Sequence, residues 1–310
     1  LNSRMVTDRR STLIAILVFG TSAVGLMDII PQLIEWGKTL QFSRLQSERF
    51  SPILMSAVIV LALPWSITRA FNTKALHLRR LYGCAAIILG TTAILTLSRS
   101  GLAATACASI FVLWPMRRRW AITSMAVFTL LIGGLGLLGD VRMNPTRVIG
   151  EFGQTTSRQA KVLVLLHEDS RVEPHHWATG IGARVMSRMA QSKRYREKRP
   201  RLYLSNMYLT ILVDHGLVGL AFFLLFIIRS HFHIARHLNR LSEPEANSDL
   251  RAALAGLSGC AFLFFFSDGL YQLPLMIMFF AALGLAVGLA SQYGQATRKV
   301  YRIIQYRHQL

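Results

Sequence analysis

Apolar residues along this chain gather into eight runs, at 12–34, 52–70, 81–98, 101–115, 121–139, 206–228, 252–267 and 271–291. About 20 helical residues cross a hydrocarbon core of about 30 Å, so most of these runs are long enough to span a bilayer. The pattern predicts an all-α integral membrane protein with about eight transmembrane helices. A tight Ser98-Arg99-Ser100-Gly101 turn alone separates the third run from the fourth, which is short. If that pair forms a kinked or re-entrant unit, the count is seven. One long polar stretch interrupts the series between spans five and six. The chain therefore divides into a helical bundle over 1–139, a loop over 140–205, and C-terminal helices with a tail over 206–310.

Charge orients this layout. Arg4, Arg9, Arg10, Arg69, Lys74, Arg79, Arg80, the Arg117-Arg118-Arg119 run, Arg229, Arg236, Arg240, Arg251, Arg298, Lys299, Arg302 and Arg307 fall on one side. The short loops of the other side hold only Lys38, Arg44, Arg49 and Arg99. The excess of Lys and Arg marks the cytoplasmic side, which puts both termini there. Lys and Arg number 35 against 15 Asp and Glu, a balance that would suggest nucleic acid in a soluble protein. Only 16% of the residues are charged, against about 25% in soluble domains. The partner implied is the membrane lipid, not nucleic acid.

The loop from Asp140 to Ser205 is non-cytoplasmic in this scheme yet holds thirteen Lys or Arg against six Asp or Glu. Long loops translocate largely regardless of charge. Its basic residues read either as a solvated or headgroup-facing surface, or as a site for an anionic, phosphate-bearing ligand. Cys84, Cys107 and Cys260 all lie within apolar runs and read as small buried hydrophobes.

Several polar residues stand where apolar ones would be cheaper. Arg99, between two spans, is either a snorkelling helix-end arginine or a functional charge. Arg44 and Arg49 accompany Glu48 in the first outer loop, as an internal ion pair or as phosphate ligands. Within the long loop, Arg158 precedes an apolar cluster at Val162, Leu163, Leu165 and Leu166, which suggests an amphipathic or re-entrant helix. Pro174-His175-His176-Trp177 follows, then Thr179-Gly180-Ile181-Gly182. The paired histidines lack a nearby carboxylate or cysteine to complete a metal set, so proton transfer or phosphate contact suits them better. Asn206 fits a helix cap. Asp214 and His215 sit inside an apolar run, where ionisable groups must pair or face water, and a helix break at Gly216 would allow that.

In this order the motifs resemble the bacterial O-antigen ligase and O-antigen polymerase family of membrane glycosyltransferases. Ser98-Arg99-Ser100-Gly101-Leu102 is similar to the family's S-R-(G/S)-x-(W/L) turn. Ser157-Arg158, His176-Trp177 and Gly180-Ile181-Gly182 resemble its periplasmic loop with the H-P-L-x-G-x-G element. Asn206-Met207-Tyr208-Leu209, through Asp214 and Gly216-Leu217-Val218-Gly219-Leu220, resembles H-N-x-Y-L…E-x-G-L-x-G-L. A looser match is Ser267-Asp268-Gly269…Pro274 with Gly284-Leu285. The resemblance runs from about Phe42 to Ala290.

That resemblance implies an inner-membrane enzyme that takes an undecaprenyl-pyrophosphate-linked glycan as donor. The glycan would pass at the periplasmic face to a lipid or glycan acceptor, as in a ligase, or to a growing chain, as in a polymerase. It implies no metal and no other cofactor. Arg99 and Arg158 would hold the pyrophosphate, with Arg44 as a weaker third, and Asn206, Asp214, Gly180 and Gly182 would support the site. The family's histidine before the asparagine is Ser205 here, Trp177 replaces the proline, and Val162 stands where tryptophan is common. The catalytic candidates are therefore His176, His215 and Ser205, with His175 beside them. Family members usually have more spans, so an N-terminal part beyond Leu1 is expected. A second reading is a non-catalytic glycolipid-binding or polysaccharide-export component.

Overall fold

The computed structural model describes residues 2–39, 52–96, 98–116, 122, 175–182, 206–238, 244–267 and 275–291. Within them the regular elements are helices: α1 (Asn2–Thr39), α2 (Pro52–Asn72), α3 (Leu76–Leu95), α4 (Arg99–Met116) and the single turn α5 (His176–Thr179). Then come α6 (Met207–Leu238), α7 (Pro244–Leu263) and α8 (Leu275–Ser291). The chain forms two compact units. The first comprises Leu1–Ser124, Arg229–Ala261 and Leu273–Leu310, and the second Met125–Ile228 with Phe262–Gln272.

Among the described residues of α1 the buried positions are Ile14, Val18, Thr21, Ser22, Gly25, Ile29 and Gln32, recurring every three or four residues as one helical face requires. The opposite face is apolar as well: Leu13, Ile16, Met27 and Ile30 are all more than half exposed. A helix apolar all round but packed on one side only is suited to lipid on the other. Thr21 and Ser22 return their hydroxyls to the carbonyls of Leu17 and Val18, one turn back, at 2.7 and 2.8 Å. That pairing keeps both polar groups satisfied at membrane depth.

α2 differs in being enclosed by the rest of its unit. Ala57, Ile59, Val60, Leu61, Ala62 and Trp65 are all within 1% of full burial. Met55, Ile59, Ala62 and Leu63 form a core cluster with Leu89 and Ala93 of α3, and Leu17 and Val24 of α1 pack against it. The other end of α2 is tied by polar groups. Arg69 Nη2 donates to Asp249 Oδ2 of α7 at 2.7 Å, and Asn72 Nδ2 donates to Ser248 Oγ at 2.7 Å. Asp249 is only 1% exposed, so this ion pair offsets part of the cost of burying its carboxylate.

Among the described residues four helices are long and apolar enough to cross a membrane: Ser11–Gln32, Leu54–Asn72, Leu76–Leu95 and Met207–Leu238. Ser100–Pro115 and Leu275–Ser291 are shorter apolar helices. The fifth run, 121–139, lies outside the described residues except at Ile122. The seventh is displaced from its expected 252–267: α7 starts at Pro244 and ends at Leu263. Hydropathy misses its first turns because they carry Glu245, Asp249 and Arg251. The cysteines need a correction too, since only Cys260 is buried and Cys84 and Cys107 are exposed. An apolar run says that a residue tolerates hydrocarbon, not whether protein or lipid supplies it.

Candidate functional site

The second unit holds a helix break and the loop that docks on it. Gly216 interrupts α6 with φ 68° and ψ −173°, a left-handed conformation that only glycine adopts at little cost. In a continuous helix the carbonyls of Val213 and Asp214 would pair with the N–H groups of Leu217 and Val218. Here they accept from the loop: Ile181 N–H donates to Val213 O at 3.0 Å, and Gly182 N–H to Asp214 O at 3.0 Å. The loop thus makes good the bonds that the break puts at risk, as irregular backbone at membrane depth requires.

The approach is close enough to dictate residue type on both sides. Gly180 has φ 83°, and a Cβ there would overlap the Asp214 carbonyl and sit 2.5 Å from His215 Cα. A Cβ on Gly216 would overlap the Ala178 carbonyl and sit 2.5 Å from Gly180 N. Upstream, α5 is stitched to His175, whose carbonyl accepts the N–H groups of Ala178 and Thr179 at 3.0 and 3.1 Å. The Thr179 hydroxyl reaches the same carbonyl at 3.1 Å.

The break sorts the two ionisable neighbours: Asp214 is 1% exposed whereas His215 is exposed. At the head of α6, Asn206 Oδ1 accepts Leu209 N–H at 3.1 Å, the expected helix cap. Met207 N–H donates to the carbonyls of Phe264 and Ser267, at 2.9 and 3.1 Å. Tyr208 lies against Phe265, with ring centroids 4.4 Å apart. The start of α6 is therefore fixed by a cap of its own and by the turn that closes α7.

Gly180, Gly182, Asp214 and His215, far apart in sequence, meet at the α6 break. Arg99 belongs to the first unit and opens α4, where Ser98 Oγ accepts Gly101 N–H at 3.3 Å. Arg99, Ser100 and Gly101 accordingly belong to the first helical turn of α4 and not to the connecting turn. Of His176 the backbone is described, as the first residue of α5. Arg44, Arg158 and Ser205 lie outside the described residues, as does the helix expected after Arg158. Sequence reasoning missed the Arg69–Asp249 pair: Arg69 counted only toward orientation, and Asp249 carried no signal beyond one acid at the edge of an apolar run.

Residues 84–224 match the family model described as O-antigen ligase. That segment, less than half of the chain, is similar to the O-antigen ligase family. The match takes in the α3–α4 turn, Arg158, the docking loop, Ser205 and the α6 break. It is narrower than the expected Phe42 to Ala290 and leaves Arg44 outside. No curated protein matches the chain. The apolar helices and the O-antigen ligase match together support a membrane protein with an O-antigen ligase-like segment.

Proposed function

We propose that this protein transfers a glycan from undecaprenyl pyrophosphate to a lipid or glycan acceptor at the periplasmic face of the bacterial inner membrane. Both termini lie in the cytoplasm in this reading. The observation that carries it is the docking of Gly180-Ile181-Gly182 on the Asp214-His215-Gly216 break, inside the O-antigen ligase segment. This contact presents an exposed histidine beside a buried carboxylate.

In the reaction the acceptor hydroxyl oxygen forms a bond to the anomeric carbon, and the bond from that carbon to the donor phosphate oxygen breaks. Lipid pyrophosphate departs with the electron pair. His215 takes the hydroxyl proton, in place of the histidine that Ser205 replaces; a positioned base of this kind contributes about 10²–10⁴-fold. Asp214 holds the break beside it, its backbone carbonyl accepting from Gly182. Arg99 and Arg158 bind the pyrophosphate and stabilise its developing charge, which guanidinium forks do without a metal. Arg44 lies outside the family match and has the weakest claim to this role. His176 and Ser205 serve as contacts to donor or acceptor.

Proteoliposomes holding the full chain, a lipid-pyrophosphate-linked glycan and an acceptor test this reading. The wild type transfers glycan, and His215→Ala loses about 10²–10⁴-fold of the rate while still binding donor. Undiminished transfer by His215→Ala would sink the assigned base. Tight donor binding without any transfer by the wild type would favour a non-catalytic glycolipid-binding component instead.

A further inference from the structure

The junction between α3 and α4, which carries Arg99, rests on a side chain from α2. Ser56 is 1% exposed, in a helix whose neighbouring positions are apolar. Its hydroxyl lies 3.4 Å from Thr96 Oγ1, at the residue that closes α3. On the far side of the same junction, a Cβ on Gly101 would overlap both Oγ and Cβ of Ser56 and sit 3.0 Å from Ser98 Oγ. The absent side chain of Gly101 is therefore the space that Ser56 fills. Ser98 completes the turn, its carbonyl accepting Leu102 N–H at 2.7 Å. Thr96 anchors its own hydroxyl on Ala93 O at 2.7 Å. Ser56, Thr96 and Ser98 are all at most 5% exposed, so these polar contacts are made away from water, where each counts for more.

We propose that Ser56 is a positioning residue. By touching both the end of α3 and the first turn of α4, it fixes the backbone from which Arg99 reaches the donor pyrophosphate. The proposal rests on the reading of Arg99 as a pyrophosphate ligand. Bidentate phosphate recognition needs the guanidinium placed in angle as well as distance, and misplacement of about 1 Å is enough to cost such an interaction most of its effect. A hydroxyl set between two helix ends holds that placement, whereas an apolar side chain of similar size would leave the junction free to slide.

The test titrates the detergent-solubilised full chain with farnesyl diphosphate as the pyrophosphate-bearing probe, in wild type, Ser56→Ala, Arg99→Ala and the double variant. Thermal unfolding of each is recorded alongside. Arg99→Ala is expected to weaken binding by more than about tenfold and Ser56→Ala by about tenfold, with Ser56→Ala unfolding close to wild type. The double variant should bind no more weakly than Arg99→Ala alone, because Ser56 acts through the arginine. Gly101→Ala, whose added methyl pushes Ser56 and the turn apart, should weaken binding at least as far as Ser56→Ala. Wild-type binding by Ser56→Ala or Gly101→Ala, with Arg99→Ala weakened, would overturn the positioning role. Losses that multiply in the double variant would overturn it too. Wild-type binding by Arg99→Ala is a different result: the arginine's own assignment then fails, and the role of Ser56 falls with it.

Discussion

Two aspartates in apolar helices, Asp249 in the first unit and Asp214 in the second, are each 1% exposed, yet their surroundings have little in common. Asp249 lies in an unbroken helix and takes the Arg69 guanidinium at 2.7 Å. Beside it Asn72 and Ser248 join the same two helices by a second polar bond. Everything there holds α2 to α7. Asp214 lies where its helix breaks, its backbone carbonyl accepting from Gly182 and its neighbour His215 turned outward. A buried acid in an apolar run thus has two quite different uses. What separates them is the backbone: an intact helix with a matched cation is a lock, and a broken helix held by a loop presents a reactive group.

Substitution of the two acids tests that contrast. Asp249→Ala leaves the partly buried Arg69 without this counter-charge, which costs about 3 kcal/mol, the low end for breaking a buried pair. Thermal or denaturant unfolding of the purified protein should show that loss, while transfer per folded molecule stays at the wild-type level. Asp214→Asn keeps the shape and removes the charge. It should lower transfer about tenfold by removing a negative charge beside the reactive corner, with a smaller change in unfolding than Asp249→Ala. If the two variants exchange phenotypes, the distinction between lock and reactive corner is wrong.

Much of the first unit was legible in the sequence, because hydropathy reports membrane helices directly. Runs at 12–34, 52–70 and 81–98 became α1, α2 and α3 with shifts of a few residues at the ends in the apolar part. The break in α6 was legible as well, since an Asp-His-Gly triplet is costly inside an apolar run. Hydropathy failed where burial is by protein rather than lipid. α7 was shortened at its start because Asp249 and Arg251 lower the window average, although Asp249 is among its most buried residues. Cys84 and Cys107 were placed inside for the converse reason.

Of the site, the residue types were readable but not their meeting. Gly180 and Gly216 carry no mark that they face each other across more than thirty positions. Only the overlap a Cβ would make at each reveals the pairing. Arg69 and Asp249 are 180 positions apart, and no local pattern joins them. The same holds for Ser56, an ordinary small residue in a span until Thr96 and Gly101 are seen against it.

The most direct measurement is glycan transfer by Gly180→Ala in proteoliposomes, expressed per folded molecule. The added methyl meets the Asp214 carbonyl and lifts the loop from the α6 break without altering any ionisable group. If this contact builds the reactive corner, transfer falls by about 10²-fold, the usual cost of displacing a catalytic group by about 1 Å. Wild-type transfer by folded Gly180→Ala would contradict the account, because the contact would then be a feature of the fold alone.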